Sequence, residues 1–197
     1  MNKTHFWLGA ALISLIVFLG QSHGLWRNGE MRDIEVGREM FLSGNYAVPK
    51  LNHEVFLEKP PLTFALTALA FEVGGVSENI ARVPCALLAA LTILVTMIMG
   101  RRILGERAGL WAGIILATSA LFFERSHSMS IDIMLAAFVT LTVFFFHHIY
   151  RLGKTSYSAL EVLPMYIFAT LAFYTKSFVG VILPGGAIVL FLLLMKD

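Results

Sequence analysis

Apolar residues occur along the chain in seven long runs separated by short polar segments. The runs cover residues 5–20, 60–76, 84–100, 108–123, 132–150, 160–175 and 177–195. A helix needs about 20 predominantly apolar residues to cross a bilayer, so six or seven of these runs are candidates for crossings. The pattern predicts an all-α, polytopic membrane protein in which residues 1–197 form a single membrane domain. The first run could instead be a cleaved signal peptide, because the small residues Gly20 and Ser22 lie at its end.

The composition supports a membrane protein and excludes several other classes. Hydrophobic residues make up 57% of the chain and charged residues 14%, whereas about 25% of residues are charged in an ordinary soluble domain. The mean hydropathy is +0.76. The net charge of +2 is too small to indicate nucleic acid as a partner, and membrane lipids are the expected surroundings. Cys85 is the single cysteine and lies in an apolar run, so a disulfide framework is excluded.

The run at 60–76 differs from the others. It opens with Pro60-Pro61, contains Glu72 and ends in two glycines, which leaves only about ten clean apolar positions, too few for a crossing. Thr63 and Thr67 also give one face a mildly polar stripe. We interpret this run as a helix that lies on the outer surface of the membrane.

The basic residues test this interpretation, since short loops on the cytoplasmic side are rich in Lys and Arg. If 60–76 does not cross, the short basic clusters all fall on one side, and residues 21–83 form one large external loop. The clusters contain Lys3, Arg101, Arg102, Arg107, Arg151, Lys154 and Lys196. If 60–76 does cross, the chain has seven spans, and Glu58 and Asp132 lie on opposite sides of the bilayer.

The segment FLEKPPLTF, residues 56–64, has the chemistry of an anion site. A residue before proline avoids the α conformation, and proline suits the first turn of a helix, so the helix should run from 62 to 73. Lys59 then lies beside the positive end of the helix dipole, where phosphate binds well. Glu58 could hold a divalent metal or a substrate hydroxyl. Alternatively, Glu58 and Lys59 are an interfacial charge pair at the end of a helix.

The segment 29–46 predicts a short helix over 32–42 that Gly44 terminates. Glu35 can pair at helical spacing with Arg38 or Arg32 on a solvated face. The following residues are predicted to be extended, with a turn near 52–53. Pairing along the helix does not account for all of the charged residues at its entrance, which are Glu30, Arg32 and Asp33.

Five pieces of the chain, in this order and spacing, resemble one known family. They read REMFLSGNYAVPKLN, EKPPL, ARVPCALLAALTILV, GRRILGERAGLWAGIILATSALFFERSHSMSIDIMLAAFVTL and LAFYTKSFVGVILP. The chain resembles the N-terminal part of the bacterial family 39 glycosyltransferases. These belong to the GT-C membrane class and are related to protein O-mannosyltransferases and to the aminoarabinose transferase that modifies lipid A.

The resemblance implies a multi-pass protein of the bacterial cytoplasmic membrane with a large first loop and an active site that faces the periplasm. Similar enzymes transfer a sugar from a polyprenyl-phosphate donor to a lipid, glycan or protein acceptor. A divalent metal ion, Zn, Mg or Mn, is the implied cofactor. The family continues through further spans and an external domain. The expectation is therefore a truncated product that is inactive alone, a domain excerpt, or a half whose missing C-terminal part a second chain supplies. The alternative is a noncatalytic transporter or assembly subunit that retains the fold.

Motif positions assign roles within this resemblance. Glu58 resembles the metal-coordinating glutamate, and Lys59 the lysine that contacts the donor phosphate. Asp132 resembles the second loop acid, and Lys176 the lysine of a Thr-Lys-Gly-like turn. Arg32 is a further candidate for binding the phosphate, because cations stabilise a leaving phosphate.

The chain departs from the family at its first-loop aspartate. The position where the family commonly has Asp is Gly29, in the register Gly29-Glu30-Met31-Arg32. Either Glu30 or Asp33 therefore replaces it, or the site is impaired. Glu30 is favoured as the carboxylate that accepts the proton of an acceptor hydroxyl.

Overall fold

The computed structural model describes residues 3–21, 28–153 and 156–195. Helices dominate these residues, in agreement with the all-α prediction. The helices are α1 (Lys3–Leu15), α2 (Asn28–Ser43), α3 (Leu62–Gly74), α4 (Glu78–Leu104), α5 (Glu106–Thr118), α6 (Ala120–Ser126), α7 (Ile131–Leu152), α8 (Ala159–Lys176) and α9 (Val179–Met195). A 3₁₀ turn, Ile16–Phe18, follows α1, and a two-stranded hairpin of β1 (Lys50–Leu51) and β2 (Glu54–Val55) follows α2.

Two of the described helices are by themselves long and apolar enough to cross a membrane. They are α4, with 27 residues, and α7, with 22. Helices α5 and α6 would form a third crossing if they count as one span, although they are bent by 69°. The run at 108–123, predicted as continuous, is therefore broken at Ser119, where the backbone is extended and the Ser119 hydroxyl donates to the carbonyl of Leu116 at 2.9 Å. The count of about six crossings stays a prediction.

Helix α3 has 13 residues and begins one residue after Pro61, as predicted from the proline pair. Gly75, at φ 77°, ends it. Thr63 and Thr67 are fully buried, and the Thr67 hydroxyl donates to the Thr63 carbonyl at 3.1 Å. The polar stripe therefore faces protein and not water, while Val73, near the end of the helix, is 92% exposed.

Helix α2 packs against α3 through Gly37. A Cβ at this position would lie 2.9 Å from the Thr67 methyl group, so only glycine permits this approach. The helix begins four residues earlier than the predicted 32–42, because its first turn is held by buried contacts of Glu30. It ends at Gly44, φ 64°, as predicted. A small core joins this region to the start of α7; its buried members are Val36, Met40, Phe56, Phe64, Ala68, Met129 and Ile131.

The hairpin turns at Asn52 and His53, which both have positive φ, 54° and 68°. Two such residues form the tight turn that matches the twist of paired strands. Glu39 of α2 accepts a hydrogen bond from the His53 backbone at 3.0 Å and so fixes the hairpin to the helix. On the same helix, Arg38 pairs with Glu35 at 2.7 Å and lowers the pKa of that carboxyl.

The main core lies between α4 and its neighbours α1, α5 and α7. Its fully buried side chains include Phe6, Ile93, Met97 and Met134. Helices α4 and α5 approach most closely at Gly109, where a Cβ would lie 2.5 Å from the Met97 carbonyl oxygen. This bundle supports α7, whose first turn carries Asp132.

Candidate functional site

A polar cavity of about 480 Å³ opens at the end of the bundle where α7 begins. It is walled by the first turn of α2, the segment before α3, the loop between α6 and α7, and the end of α8. Six predicted site residues line it: Glu30, Asp33, Glu58, Lys59, Asp132 and Lys176. Arg32, the seventh, lies next to it and bonds to two of the lining carboxylates. The fold thus brings together residues as distant in sequence as Glu30 and Lys176.

Asp33 is the most strongly paired carboxylate in the cavity wall. The Lys59 ammonium donates to its two oxygens at 2.9 and 3.2 Å, and the Arg32 guanidinium donates to one of them at 3.2 Å. The helical spacing allows a pair between Arg32 and Glu35, but the structure pairs Arg32 with other carboxylates. Arg32 reaches across to Glu58, at 3.2 Å, because α2 and the segment before α3 converge here.

Asp132 forms a second cluster of charges on the opposite wall. The Lys176 ammonium, in the last turn of α8, lies 2.6 Å from its carboxylate, and an Arg125 nitrogen lies 3.7 Å away. Sequence reasoning missed Arg125. Its position before the helix N-cap at Ser130 gave no periodic signal, and only the tertiary structure brings it to the cavity.

Two polar groups of the cavity wall are buried without a hydrogen-bond partner among the described residues. They are the Nε of Arg125 and the hydroxyl of Ser130. A buried donor without a partner is costly, and such groups in a native protein indicate a ligand or ordered water. Both of these can donate a hydrogen bond, so the cavity is suited to an anion.

Glu30 has a different environment from the other carboxylates. It is buried, and one oxygen accepts hydrogen bonds from the equally buried Arg82 at 2.8 Å and from the Met129 backbone at 3.0 Å. Arg82 also donates to the Gln21 carbonyl at 2.8 Å. Sequence reasoning missed Arg82, since a single arginine in an apolar run gives no indication of its partner.

The described residues do not compose a metal centre by themselves. They contain no group of three or more His, Cys, Asp or Glu side chains that could hold a metal ion. Glu58 can offer one carboxylate, which is 65% exposed. The two ring nitrogens of His127 face the carbonyl oxygens of Phe123 and Leu19, each at 2.7 Å, and not a group of possible metal ligands.

Comparison with known proteins identifies the family. Residues 58–196 match the family model described as dolichyl-phosphate-mannose-protein mannosyltransferase. The chain belongs to this family. It is 29% identical over 195 residues to an uncharacterized protein of Aquifex aeolicus and 25% identical to an undecaprenyl phosphate-alpha-4-amino-4-deoxy-L-arabinose arabinosyl transferase of Proteus mirabilis. These alignments cover 98% and 94% of the chain.

A solved structure shares the fold. The crystal structure of ArnT from Cupriavidus metallidurans superimposes with a TM-score of 0.81 and 27% identity over 98% of the chain, and a second structure of that protein is bound to undecaprenyl phosphate. The expected GT-C membrane fold is thereby confirmed. The chain spans 38% of the Aquifex protein, 34% of the Proteus transferase and 36% of ArnT.

The cavity predicts that positions 58 and 132 are accessible from the same side of the membrane. Glu58 and Asp132 line one cavity, so cysteines placed at 58 and 132 will react with a membrane-impermeant maleimide added to the same side of sealed vesicles. Leu104 is exposed at the far end of α4. A cysteine that replaces it will react only with maleimide added to the other side. The native Cys85 is fully buried and gives a low background. Labelling of 132 without 58 would contradict the arrangement.

The buried ion pair predicts a large effect on stability. Arg82→Met leaves Glu30 charged and without its partner, which costs about 3–5 kcal/mol. The double variant Glu30→Gln, Arg82→Met removes both charges and keeps an acceptor for the Met129 N–H, so it will recover most of the loss. Unfolding in detergent measures both. Arg38→Met, which breaks an exposed pair, is the control and costs no more than about 1 kcal/mol. Equal effects of Arg82→Met and Arg38→Met would refute the pairing.

Proposed function

We propose that this chain forms the donor-binding part of a membrane glycosyltransferase that takes a sugar from a polyprenyl phosphate. The observation that carries the proposal is the cavity with two unpartnered buried donors, Arg125 Nε and Ser130 Oγ, among further cations. An anion is the ligand that such a wall stabilises. The likeness to a protein whose structure holds undecaprenyl phosphate supports the same chemistry.

The donor phosphate binds between the two charged clusters. Arg125 and Ser130 donate to its oxygens, and Lys59 and Lys176 approach it from the α3 and α8 sides. When the bond between the sugar C1 and the phosphate oxygen breaks, negative charge grows on the phosphate. Cations already in place stabilise that charge and lower the barrier. These roles for Lys59 and Lys176 are the ones that the family resemblance implies.

The carboxylates give the site a way to activate the acceptor. Asp33 holds Lys59 at 2.9 Å, and a bound phosphate competes for the same ammonium. The Asp33 Oδ2, which bonds to Lys59 and not to Arg32, is then released to accept the proton of an acceptor hydroxyl while the acceptor oxygen bonds to C1 and polyprenyl phosphate leaves. Direct displacement of this kind inverts the anomeric carbon. The buried contacts of Glu30 favour Asp33 over Glu30 as the base, and Glu30 as a residue that positions the cavity wall.

The proposal extends to the surroundings of the cavity. The site faces the periplasm, the segment 21–83 is its catalytic loop, and the acceptor is a lipid, glycan or protein. A divalent metal at Glu58 would require further ligands from another part of the protein or from a second chain. No step of the transfer is assigned to that metal.

Lys59→Met is predicted to weaken binding of undecaprenyl phosphate about 10–100-fold, because it removes a charge-assisted hydrogen bond of about 1.5–3 kcal/mol. Titration of the purified protein in detergent with undecaprenyl phosphate, followed by intrinsic fluorescence, measures the affinity. Lys59→Arg will retain part of it. Lys50→Met removes a lysine of the hairpin outside the cavity and will leave the affinity unchanged. Equal affinity of the Lys59→Met and wild-type proteins would contradict the role of Lys59 in binding the phosphate.

The variant Asp33→Asn tests whether Asp33 acts as the base of the transfer or only supports the fold. Loss of the charge frees Lys59, so the affinity for undecaprenyl phosphate will rise severalfold. The transfer of labelled sugar from a polyprenyl-phosphate donor will fall by about 10²-fold or more, the scale of a lost general base. Glu35→Gln, on the same helix but paired with Arg38, will change neither quantity. If Asp33 only supports the fold, affinity and transfer will both fall. Donor binding without transfer in the wild type would indicate a noncatalytic protein.

A further inference from the structure

A second cluster of charge lies at the end of the bundle opposite the cavity. Helix α7 carries Asp132 in its first turn and Arg151 in its last. At 1.5 Å per residue these positions are about 30 Å apart, which is the thickness of the hydrocarbon core of a bilayer. The cluster therefore lies at the level of the lipid headgroups when α7 crosses the membrane.

Two arginines form the centre of this cluster. Arg151 donates to the backbone carbonyl of Arg102 at 3.1 Å, which brings the C-terminal ends of α7 and α4 together. The Arg102 guanidinium lies over the Phe144 ring, 5.0 Å from its centre. Among the described residues neither arginine forms an ion pair with a carboxylate. The nearby Glu106 is paired with Arg101 at 3.2 Å.

A histidine of α7 lies beside these arginines. His147 is half-buried and lies four residues before Arg151, on the same face of the helix. Its Nδ1 is buried and makes no hydrogen bond within the described part of the chain. Groups of one sign repel one another, and a closely bound anion removes this repulsion. The described residues therefore provide no negative partner for the cluster.

We propose that Arg102 and Arg151 bind the phosphate of an anionic phospholipid in the leaflet at this end of the protein. Guanidinium groups match phosphate oxygens with paired hydrogen bonds. Tyr150, which packs on Phe146 and Phe191, places an aromatic cluster at the same level, where such side chains favour the headgroup region. The site is distinct from the donor cavity and does not depend on the proposed transfer reaction.

The test compares lipid binding by two charge-matched double variants. Arg102→Gln, Arg151→Gln removes the centre of the cluster, whereas Arg38→Gln, Lys50→Gln removes two positive charges near the other end. Native mass spectrometry of the protein in detergent, titrated with phosphatidylglycerol or phosphatidylcholine, measures bound lipid. The wild type will prefer phosphatidylglycerol. The first variant will bind it about tenfold more weakly, and the second variant will bind it like the wild type.

Two further measurements separate a bound lipid from bound free phosphate and from a loss of folding. Inorganic phosphate at millimolar concentration will not displace phosphatidylglycerol, because the lipid also gains from its apolar surroundings. Displacement by phosphate, or equal loss in both double variants, would overturn the proposal. Arg102→Gln alone provides the same comparison if the double variant does not fold, since the Arg102 side chain donates no hydrogen bond within the described residues. Unchanged lipid preference in that single variant, folded by circular dichroism, would also overturn it.

Discussion

One buried ion pair holds the parts of the polar cavity in place. The Glu30 carboxylate accepts from Arg82 at 2.8 Å and from the Met129 backbone at 3.0 Å, so it joins the first turn of α2, the apolar helix α4 and the loop that leads into α7. Both side chains of the pair are removed from water, and each makes the burial of the other tolerable. The loop after α6 carries Ser130 and α6 itself carries Arg125, so this pair also sets where the two unpartnered donors of the cavity lie.

The remaining charges divide into two kinds. In the cavity wall every described carboxylate is paired with a cation, and Asp33 and Asp132 each face two. Such a site is nearly neutral when it is empty, and in the proposed function an anion competes for its cations. At the other end of α4 and α7, Arg102 and Arg151 have no ion pair with a described acid. This second cluster is the one proposed to bind a phospholipid phosphate.

The family assignment and the geometry support each other at different levels. The match over residues 58–196 and the likeness to ArnT establish the family and the fold. The arrangement of individual side chains is particular to this chain. The family resemblance implies an aspartate at the position of Gly29, and a Cβ there would meet no atom within 4 Å. The cavity therefore has open space at this point, with Asp33 one helical turn further along α2.

The sequence by itself determined the helical membrane class, the start of α3 after Pro61, the end of α2 at Gly44 and the turn at 52–53, because these depend on local backbone preferences and on the length of apolar runs. Six of the seven named site residues also line the cavity, since motif position located them. Only the tertiary structure decided that Glu30 pairs with Arg82, that Arg32 reaches Glu58 and that Arg125 enters the cavity. These contacts join residues 26 to 52 positions apart or depend on how α6 packs beside α7. A pattern of neighbouring residues carries no information about such distances, because they are set by how the helices pack.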